Sequence, residues 1–341
     1  MALVGVPWAI GGGADNPVEG ARMSTFGATG GARGVLGATD MRVTALPVPG
    51  TAVRVHMGGG VTPNDYLPAP AYGSQSYVVR EESSTDVPVP ATGSAGGATR
   101  YLIVRITDPQ YGGQAPSNVE DGPYNDYALV SKLTGLGYPF IPLAKITQPA
   151  STGTITNSMI TDIREVANPR VEDHVIARPV VQQAIQDWSH VLRQKRKGTG
   201  VLRGEQFPDR VHGGGFKIKA PEWATRMIIE CYLTGVRYSG KSSWGGWYIA
   251  HEAADGSGEP HWSQDFGWDV LENNTIYKTN WIMSENLYVW PDERGKEIQF
   301  DVRAFVDLAS TAQTGQVSLD NRSGITFKCR FLEIADAPLE S

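Results

Sequence analysis

Hydrophobic and polar residues alternate most clearly in the carboxy-terminal half of the chain. Three stretches there carry apolar residues at every second position, which is typical of strands with one buried face and one wet face. Their apolar positions are Met227, Ile229, Cys231 and Leu233; Ile298, Phe300, Val302, Ala304, Val306 and Leu308; and Ile325, Phe327, Cys329 and Phe331. The shorter stretches FKIKAP, GWYIAHE, TIYKT and NLYVW bring the predicted strands to about seven. We therefore predict an antiparallel β-sandwich, similar to a jelly roll, over residues 199–341.

The amino-terminal half predicts shorter strands that are separated by glycine and proline turns. The strand-like stretches are MRVTAL, TAVRVHM, QSYVVR, RYLIVRITD and FIPLAKIT. The fourth stretch is apolar on both faces, which is typical of a strand in the centre of a sheet. A short helix is expected at residues 125–133. Residues 22–153 form the predicted amino-terminal β domain.

Helical spacing of apolar residues occurs between these two halves, at residues 154–198. Asn157 is a suitable N-cap for a first helix, and its apolar face would carry Met159, Ile160, Ile163 and Val166. Pro169 ends that helix, and Pro179 suits the first turn of a second one. The second helix would present an apolar stripe formed by Val181, Ala184, Ile185, Trp188, Val191 and Leu192. We predict a helical connector, with this stripe as a candidate interface between copies of the chain, although two heptads are too few for a coiled coil.

Composition limits the class of protein. A chain of 341 residues suggests two domains, and its 40 glycines and 22 prolines favour many turns and a mainly β fold. The net charge of −6 gives no basic surplus for binding nucleic acid or an anionic membrane. No apolar run approaches the ~20 residues that a membrane-spanning helix needs. We therefore expect neither a nucleic-acid partner nor membrane insertion.

The first 21 residues are expected to form an arm that packs on a partner. They contain Val4, Val6, Trp8 and Ile10 but lack the basic start of a signal peptide. These apolar side chains would be better placed against another protein or a second copy than in water.

Cys231 and Cys329 are the only cysteines, so the chain has no disulfide framework. Both share the phase of core residues, which favours small buried hydrophobic side chains over a redox or metal role. Whether their strands are neighbours is left open by the sequence. A chain of this kind is expected to assemble in a reducing cytoplasm. His251 and His261 are too sparse for a zinc site, and we expect no cofactor.

Aromatic loops at residues 239–247 and 251–269 supply the candidate binding site. Tryptophan rings stack on sugar rings, and neighbouring carboxylates bond sugar hydroxyls. The candidate glycan-contacting residues are Trp244, Trp262, Trp268, Asp265 and Asp269. The alternative is that these tryptophans fill the ends of the sandwich or a subunit interface. Because the sequence lacks G-x-S-x-G, H-E-x-x-H and C-x-x-C, we expect a binding protein rather than an enzyme.

Five segments of the amino-terminal half, in their order, resemble a known family. The segments are ARMSTFGATGGARGVLGATDMRVTALPVPGTAVRVHMGGG, QSYVVR, VPVPATGS, RYLIVRITDPQYGG and ITNSMITDIREVANPR. They are similar to the amino-terminal region of minor tail proteins, of the baseplate or tail-fibre kind, from long-tailed bacteriophages that infect actinobacteria. The resemblance covers about residues 20–170, half of the chain.

This resemblance implies a structural protein of the virion tail tip that is assembled in the host cytoplasm. Its amino-terminal β domain would anchor to other tail-tip proteins, and its distal domain would face the host. Such proteins are often homotrimers. Two hypotheses then compete: the distal sandwich binds host cell-surface polysaccharide, or it is an assembly module that docks other tail proteins. A cell-wall glycoside hydrolase that uses paired carboxylates is a third and more distant hypothesis.

Overall fold

The computed structural model describes residues 9, 12, 15–66, 74–120, 122–180, 189–193, 195–196, 204–240, 242–270, 276–307 and 315–335. The described part contains one α-helix and 23 strands, so the predicted mainly β fold class is confirmed. The chain divides into two compact units. The first comprises residues 1–169 with 334–337, and the second comprises residues 170–333 with 338–341.

The amino-terminal unit consists of short antiparallel strands around one core. Its elements are helix α1 (Val18–Thr29) and strands β1 (Gly34–Val35), β2 (Val43–Ala45), β3 (Ala52–Val55), β4 (Gly58–Pro63), β5 (Ser76–Glu81), β6 (Thr85–Pro88), β7 (Ala98–Ile106), β8 (Asn125–Val130), β9 (Phe140–Gln148) and β10 (Ile160–Asp162). They form three sheets with the orders β1-β4-β5, β2-β3-β6 and β10-β9-β7-β8. The core between them is mostly valine, leucine and isoleucine, including Val53, Leu102 and Ile141.

Strand β7 lies between β8 and β9, as its two-sided apolar pattern predicted. The helix expected at residues 125–133 is wrong, because β8 pairs with β7 there. Helix α1 was not predicted. It begins after Pro17 and ends at Gly30, which has the left-handed conformation (φ 61°) that glycine adopts most easily. None of its residues is fully buried.

The carboxy-terminal unit contains the longer strands. They are β11 (Val171–Pro179), β12 (Ser189–Val191), β13 (Lys195–Arg196), β14 (Glu205–Gln206), β15 (Gly215–Lys219), β16 (Arg226–Ser239), β17 (Ser243–Ala253), β18 (His261–Trp262), β19 (Phe266–Val270), β20 (Tyr277–Tyr288), β21 (Glu297–Asp307), β22 (Gln316–Asp320) and β23 (Gly324–Leu332).

Several of these short strands lie end to end along the same neighbouring strand, so that together they occupy one strand position in the sheet. β11 with β12 runs along β23 with β22, β13 to β15 run along β21, and β18 with β19 runs along β17. One sheet then has the order β11/β12, β22/β23, β16, β20, and the other has the order β13–β15, β21, β17, β18/β19. Eight strand positions, four in each of two sheets and connected in this order, are the topology of a jelly roll. The predicted sandwich fold is therefore confirmed, but the sandwich begins with β11 rather than at residue 199.

The core of this unit lies between the inner faces of the two sheets. Alternate residues of β16 and β23 meet those of β17 and β21, as their alternation predicted. Both cysteines are buried and free. Cys231 lies opposite Phe327 and Cys329 lies opposite Ile229, so the two thiols are diagonal neighbours on adjacent strands.

The predicted helical connector is wrong wherever the structure describes it. The first predicted helix is a single turn at Asn157–Met159 followed by β10, which pairs with β9. Pairing with a distant strand suits its β-branched Ile160 and Thr161 and outweighs their helical spacing. The boundary between the two units falls at Pro169, inside the same stretch.

The second predicted helix begins in β11 and continues through β12 and β13. Val181, Ala184, Ile185 and Trp188 lie outside the described residues. Val191 is part of β12, and Leu192 is buried in the core of its own chain, where its N–H donates to the Val317 carbonyl at 2.9 Å. Leu192 is therefore not available to an interface between copies. Most of the predicted arm, residues 1–21, also lies outside the described residues.

Candidate functional site

Trp268 does not belong to a binding surface. It is 6% exposed and stacks on Trp281 with 5.4 Å between ring centroids. Its Nε1 donates to the Gly246 carbonyl at 3.3 Å. Trp268 alternates with Phe266 and Val270 on the inner face of β19, and all three pack on the core. The prediction that it contacts glycan is therefore wrong, and it fills the sandwich instead.

The other predicted residues lie apart on the outer side of the sheet that contains β17. Trp244 and Asp269 face each other across β17 and β19. Trp262 of β18 is paired with Ala250, further along β17. At ~3.4 Å per residue, Trp244 and Ala250 are about 20 Å apart along the strand. Asp265 is exposed between β18 and β19. The five residues do not form one site.

A polar cavity lies on this outer face around Ala250, the residue that pairs with Trp262 of the neighbouring strand. Its volume is about 210 Å³, and it is lined by Ala250, His251, Glu252, Pro260, Gln299, Asp301 and Arg303. Ala250 pairs with Trp262 on one side and with Asp301 on the other. Ala250 therefore places only a methyl group between its two partners, Trp262 and Asp301. Trp262 is 43% exposed.

Asp301 is the centre of a hydrogen-bond network at this cavity. It is 4% exposed, and Arg210 donates to it twice, from Nε at 2.8 Å and from Nη2 at 2.7 Å. The side-chain amides of Gln206 and Gln299 donate at 3.1 and 3.2 Å. The hydrogen bonds to Asp301 hold the pKa of Arg210 above its usual range. Four donated bonds fill the roughly four acceptor positions of a carboxylate.

Gly215 makes room for this network. It lies opposite Asp301 in β15, and a Cβ atom there would come within 2.8 Å of Arg210 Cγ and 3.0 Å of Gln299 Nε2. Any larger residue would therefore push Arg210 or Gln299 away from the carboxylate.

Glu252 and Arg303 lie near this network but make no hydrogen bond to its charged groups, Arg210 and Asp301. Their side chains are 40% and 30% exposed. Glu252 Oε1 is 3.9 Å from Arg210 Nη2, and Arg303 Nη2 is 3.8 Å from Asp301 Oδ2, both beyond hydrogen-bond distance. Arg303 also donates from Nη1 to the Gly204 carbonyl at 3.2 Å. The cavity therefore offers one acceptor and one donor group to a ligand.

A buried acid–base pair lies on the inner face of the same sheet, below the cavity. His251 Nδ1 donates to Glu293 Oε1 at 2.6 Å, and both side chains are buried. Glu293 also accepts from the Trp290 N–H at 3.0 Å. His261, which stacks on Trp290 at 4.5 Å, has its pKa lowered by burial. This pair ties the end of β17 to the turn that precedes β21.

A larger cavity in the amino-terminal unit, about 520 Å³, is lined by Arg105 and Tyr66, whose polar atoms are engaged within the chain. Arg105 donates twice to Asp126, at 2.8 and 2.6 Å. The Tyr66 hydroxyl donates to the Ile106 carbonyl and accepts from the Asp108 N–H, both at 2.8 Å. We therefore place the candidate site in the carboxy-terminal unit.

Among the described residues, no group of three or more His, Cys, Asp or Glu side chains is arranged to hold a metal ion. Within the same residues, no helix has the length and apolar character needed to cross a membrane.

The sequence analysis missed most residues of the cavity. Gln299, Asp301 and Arg303 occupy the polar positions of β21, opposite in phase to its core residues, and this signal could have marked them. Their meeting with Glu252 and Trp262 depends on strand register, which local sequence does not fix.

No protein-family model matches the chain. No curated protein matches it either. Among solved structures, the chain is similar to the infectious bursal disease virus Gx strain, with 15% identity, a TM-score of 0.25, and coverage of 89% of this chain and 70% of the other. The T13 viral particle of the same virus gives 12% identity, a TM-score of 0.26, and coverage of 89% and 72%. The dimeric latent PorU of Porphyromonas gingivalis gives 12% identity, a TM-score of 0.22, and coverage of 90% and 25%. These TM-scores are too low to show a shared fold. The jelly-roll topology therefore follows from the strand pairing alone.

Proposed function

We propose that this chain is a structural protein in the tail tip of a long-tailed bacteriophage that infects actinobacteria, and that its carboxy-terminal unit binds a host-surface saccharide. The resemblance of about residues 20–170 to minor tail proteins supports the first part. The jelly roll supports the second, since this fold is used by viral capsid and lectin domains. The observation that carries the proposal is the cavity over Ala250, a residue that pairs with Trp262 on one side and with Asp301 on the other.

The cavity has the parts that saccharide binding requires. A sugar ring has apolar C–H faces, which stack on an indole, and hydroxyl groups at its rim, which need donors and acceptors. Arg303 supplies a donor and Glu252 an acceptor in the cavity lining, and Trp262, which pairs with Ala250 just outside the lining, would supply the ring. Asp301 and its partners hold the wall in place before a ligand arrives, which reduces the cost of ordering side chains on binding.

Binding of the full chain to purified actinobacterial wall polysaccharide tests this function. We expect Trp262→Ala and Ala250→Leu each to weaken binding at least about tenfold, or ~1.4 kcal/mol. The first removes the ring and the second fills the cavity without touching its polar groups. Trp244→Ala is the matched control on the same face, and we expect a change below about twofold, ~0.4 kcal/mol. An absence of binding by folded protein, or equal losses from Trp262→Ala and Trp244→Ala, would contradict the proposal.

Assembly through α1 is the second candidate function. The helix exposes Val18 and Met23, at 51% and 53%, and buries none of its residues fully, so it has a face available for another tail protein. Phage carrying Met23→Glu would then lack this protein in their particles, while the purified variant would bind saccharide normally. Normal incorporation of Met23→Glu would count against docking through α1.

We further propose that the protein is a homotrimer, as the family resemblance implies. Light scattering on the full chain at micromolar concentration should give three times the monomer mass, and a monomer would contradict this. Release of reducing sugar from purified wall would instead favour the hydrolase hypothesis.

A further inference from the structure

We infer that the cavity around Ala250 accepts a neutral sugar ring and rejects charged sugars, with Glu252 and Arg303 as the contacting groups and Asp301 as a positioning residue. This inference rests on the proposed saccharide-binding function and specifies its ligand class.

The charges around the cavity are balanced. Two carboxylates, Asp301 and Glu252, face two guanidinium groups, Arg210 and Arg303. Arg210 pairs with Asp301 at 2.7 Å, and the remaining contacts, Arg303 to Asp301 and Arg210 to Glu252, are 3.8 and 3.9 Å. The four formal charges therefore sum to zero within one connected group.

A charged ligand would disturb this balance. An acidic sugar would need Arg303 as its counter-ion, but Arg303 already lies near Asp301, so the new anion would face two carboxylates. An amino sugar with a free, protonated amine would need Glu252, which already lies near Arg210, and would face two guanidinium groups. Like charges brought together in a partly desolvated cavity repel more strongly than in water. A neutral ring meets neither penalty.

The hydrogen-bonding groups of the cavity also match a neutral sugar. Asp301 accepts four hydrogen bonds from the protein, which leaves it no acceptor position for a ligand. It acts through Arg210 and Gln299, which it holds in place. Glu252 can still accept and Arg303 can still donate. A hydroxyl group both donates and accepts, so a pair of neighbouring sugar hydroxyls matches this pair of side chains.

A glycan array separates the possibilities, with the full chain as the probe. It contains neutral glycans, with N-acetylated sugars among them, uronic-acid glycans, and amino-sugar glycans whose amines are free. We expect bound glycans to be neutral, and their affinity to change less than about twofold between 20 mM and 500 mM salt, because no net charge is paired. Preferential binding of uronic-acid or amino-sugar glycans would overturn this inference and leave the saccharide-binding function intact. No binding to any glycan or to wall polysaccharide would overturn both.

Two charge-removing variants test the assigned roles. Glu252→Gln leaves the cavity with one excess positive charge, and Arg303→Gln leaves it with one excess negative charge. We expect both to weaken neutral-glycan binding about tenfold. The preference between uronic-acid and amino-sugar glycans should shift at least tenfold, towards the acid in Glu252→Gln and towards the amine in Arg303→Gln. Melting temperatures of both variants establish that they are folded. An unchanged preference in folded variants would overturn the assignment, because loss of packing alone cannot shift charge preference in opposite directions.

Asp301→Asn distinguishes a positioning residue from a contacting one. We expect it to weaken the Arg210 contact and lower the melting temperature, unlike Glu252→Gln. It should also shift the preference towards uronic-acid glycans, because it removes one negative charge without removing Glu252. Should Asp301→Asn fail to fold, the Glu252→Gln result alone decides the inference.

Discussion

The guanidinium group of Arg22 lies 2.7 Å from the buried carboxylate of Asp108, and this contact fixes α1 to its unit. The same guanidinium lies 4.9 Å from the ring centre of Tyr77, and the Tyr77 hydroxyl donates to Asp108 at 2.8 Å. Arg22 also donates to the Gln110 side-chain carbonyl at 2.7 Å. Because α1 fully buries none of its residues, we expect its position to depend largely on polar contacts such as this one and the hydrogen bond that Gln110 donates to Glu19 at 2.6 Å.

Arg22→Ala should release α1 and destabilise the amino-terminal unit. Removing the cation leaves Asp108 as a buried carboxylate with fewer partners, at a cost of about 2 kcal/mol in the free energy of unfolding. Hydrogen exchange would show faster exchange of the α1 amides in the variant. Met23→Ala, the exposed neighbour on the same helix, is the control and should change stability by less than about 0.5 kcal/mol. Unchanged protection of α1 in Arg22→Ala would contradict the role of the Arg22–Asp108 contact.

Cys231 and Cys329 should remain reduced and unreactive in the folded protein. Burial raises the pKa of both thiols, which suppresses the reactive thiolate. The Cα atoms of diagonal neighbours in a sheet are about 7–8 Å apart, which is beyond the ~4.4–6.8 Å between the Cα atoms of a disulfide. Mass spectrometry after alkylation at pH 8 should find both thiols unlabelled in native protein and labelled in guanidinium chloride. Rapid native labelling, or a disulfide after mild oxidation, would be inconsistent with their position in the core.

The free energy of unfolding should fall as the pH is lowered from 7.5 to 5.5. Burial lowers the pKa of His56, His190 and His261 in the folded protein. Below the ordinary histidine pKa of about 6.5, the unfolded chain therefore binds more protons than the folded chain, and stability decreases until the folded-state pKa values are passed. Each unit of difference corresponds to about 1.4 kcal/mol.

Guanidinium chloride midpoints at the two pH values measure this effect, and His261→Gln should reduce the difference. Carboxylates act in a separate window. The pKa of Glu230, for example, is lowered by hydrogen bonds from Tyr232 and Lys328, so its contribution is lost only below about pH 4–5. A higher midpoint at pH 5.5 than at pH 7.5 would contradict the prediction.

Gly215→Ala should disrupt the network around Asp301. Its new Cβ would strike Arg210 and Gln299, and the loss of charge-assisted hydrogen bonds should cost about 2 kcal/mol in thermal unfolding experiments. Gly267→Ala is a matched control in the same sheet, since a Cβ there meets no atom within 4 Å. We expect a change of less than about 0.5 kcal/mol in the control. Equal stability of the two variants would show that Gly215 is not needed for the network.

The long strands of the carboxy-terminal unit were predictable because burial on one face imposes alternation. Met227, Phe300 and Phe327 all lie in the core, as their phase indicated. The same rule would have placed Trp268 in the core with Phe266 and Val270. Trp268 was predicted to contact glycan because it is a tryptophan near other tryptophans. Its position in the alternation of β19, in step with Phe266 and Val270, was not considered, and the prediction was wrong for that reason.

Strand β11 could not be predicted from alternation. It is paired on one side with β23, and its exposed positions include both Val171 and Val175. An edge strand buries less of each side chain, so its alternation is weaker than that of a central strand. Pairing with β23 decides its conformation, and that pairing joins distant parts of the sequence. The cavity depends on register between β17, β18 and β21 and is hidden from local patterns for the same reason.

The pairing of β11 with β23 also sets the order in which this unit can form during synthesis. Val171 lies opposite Leu332, and Pro179 lies opposite Gly324. When β11 leaves the ribosome, the strand that it needs has not yet been translated, and nearly the whole unit must emerge before the first sheet can close. Long-range closures of this kind are slow, and unpaired strands are prone to aggregate. The strands of the amino-terminal sheets are translated earlier, so these sheets can form while β11 is still unpaired. We expect the yield of soluble protein to depend on whether β11 avoids aggregation until β23 has been translated.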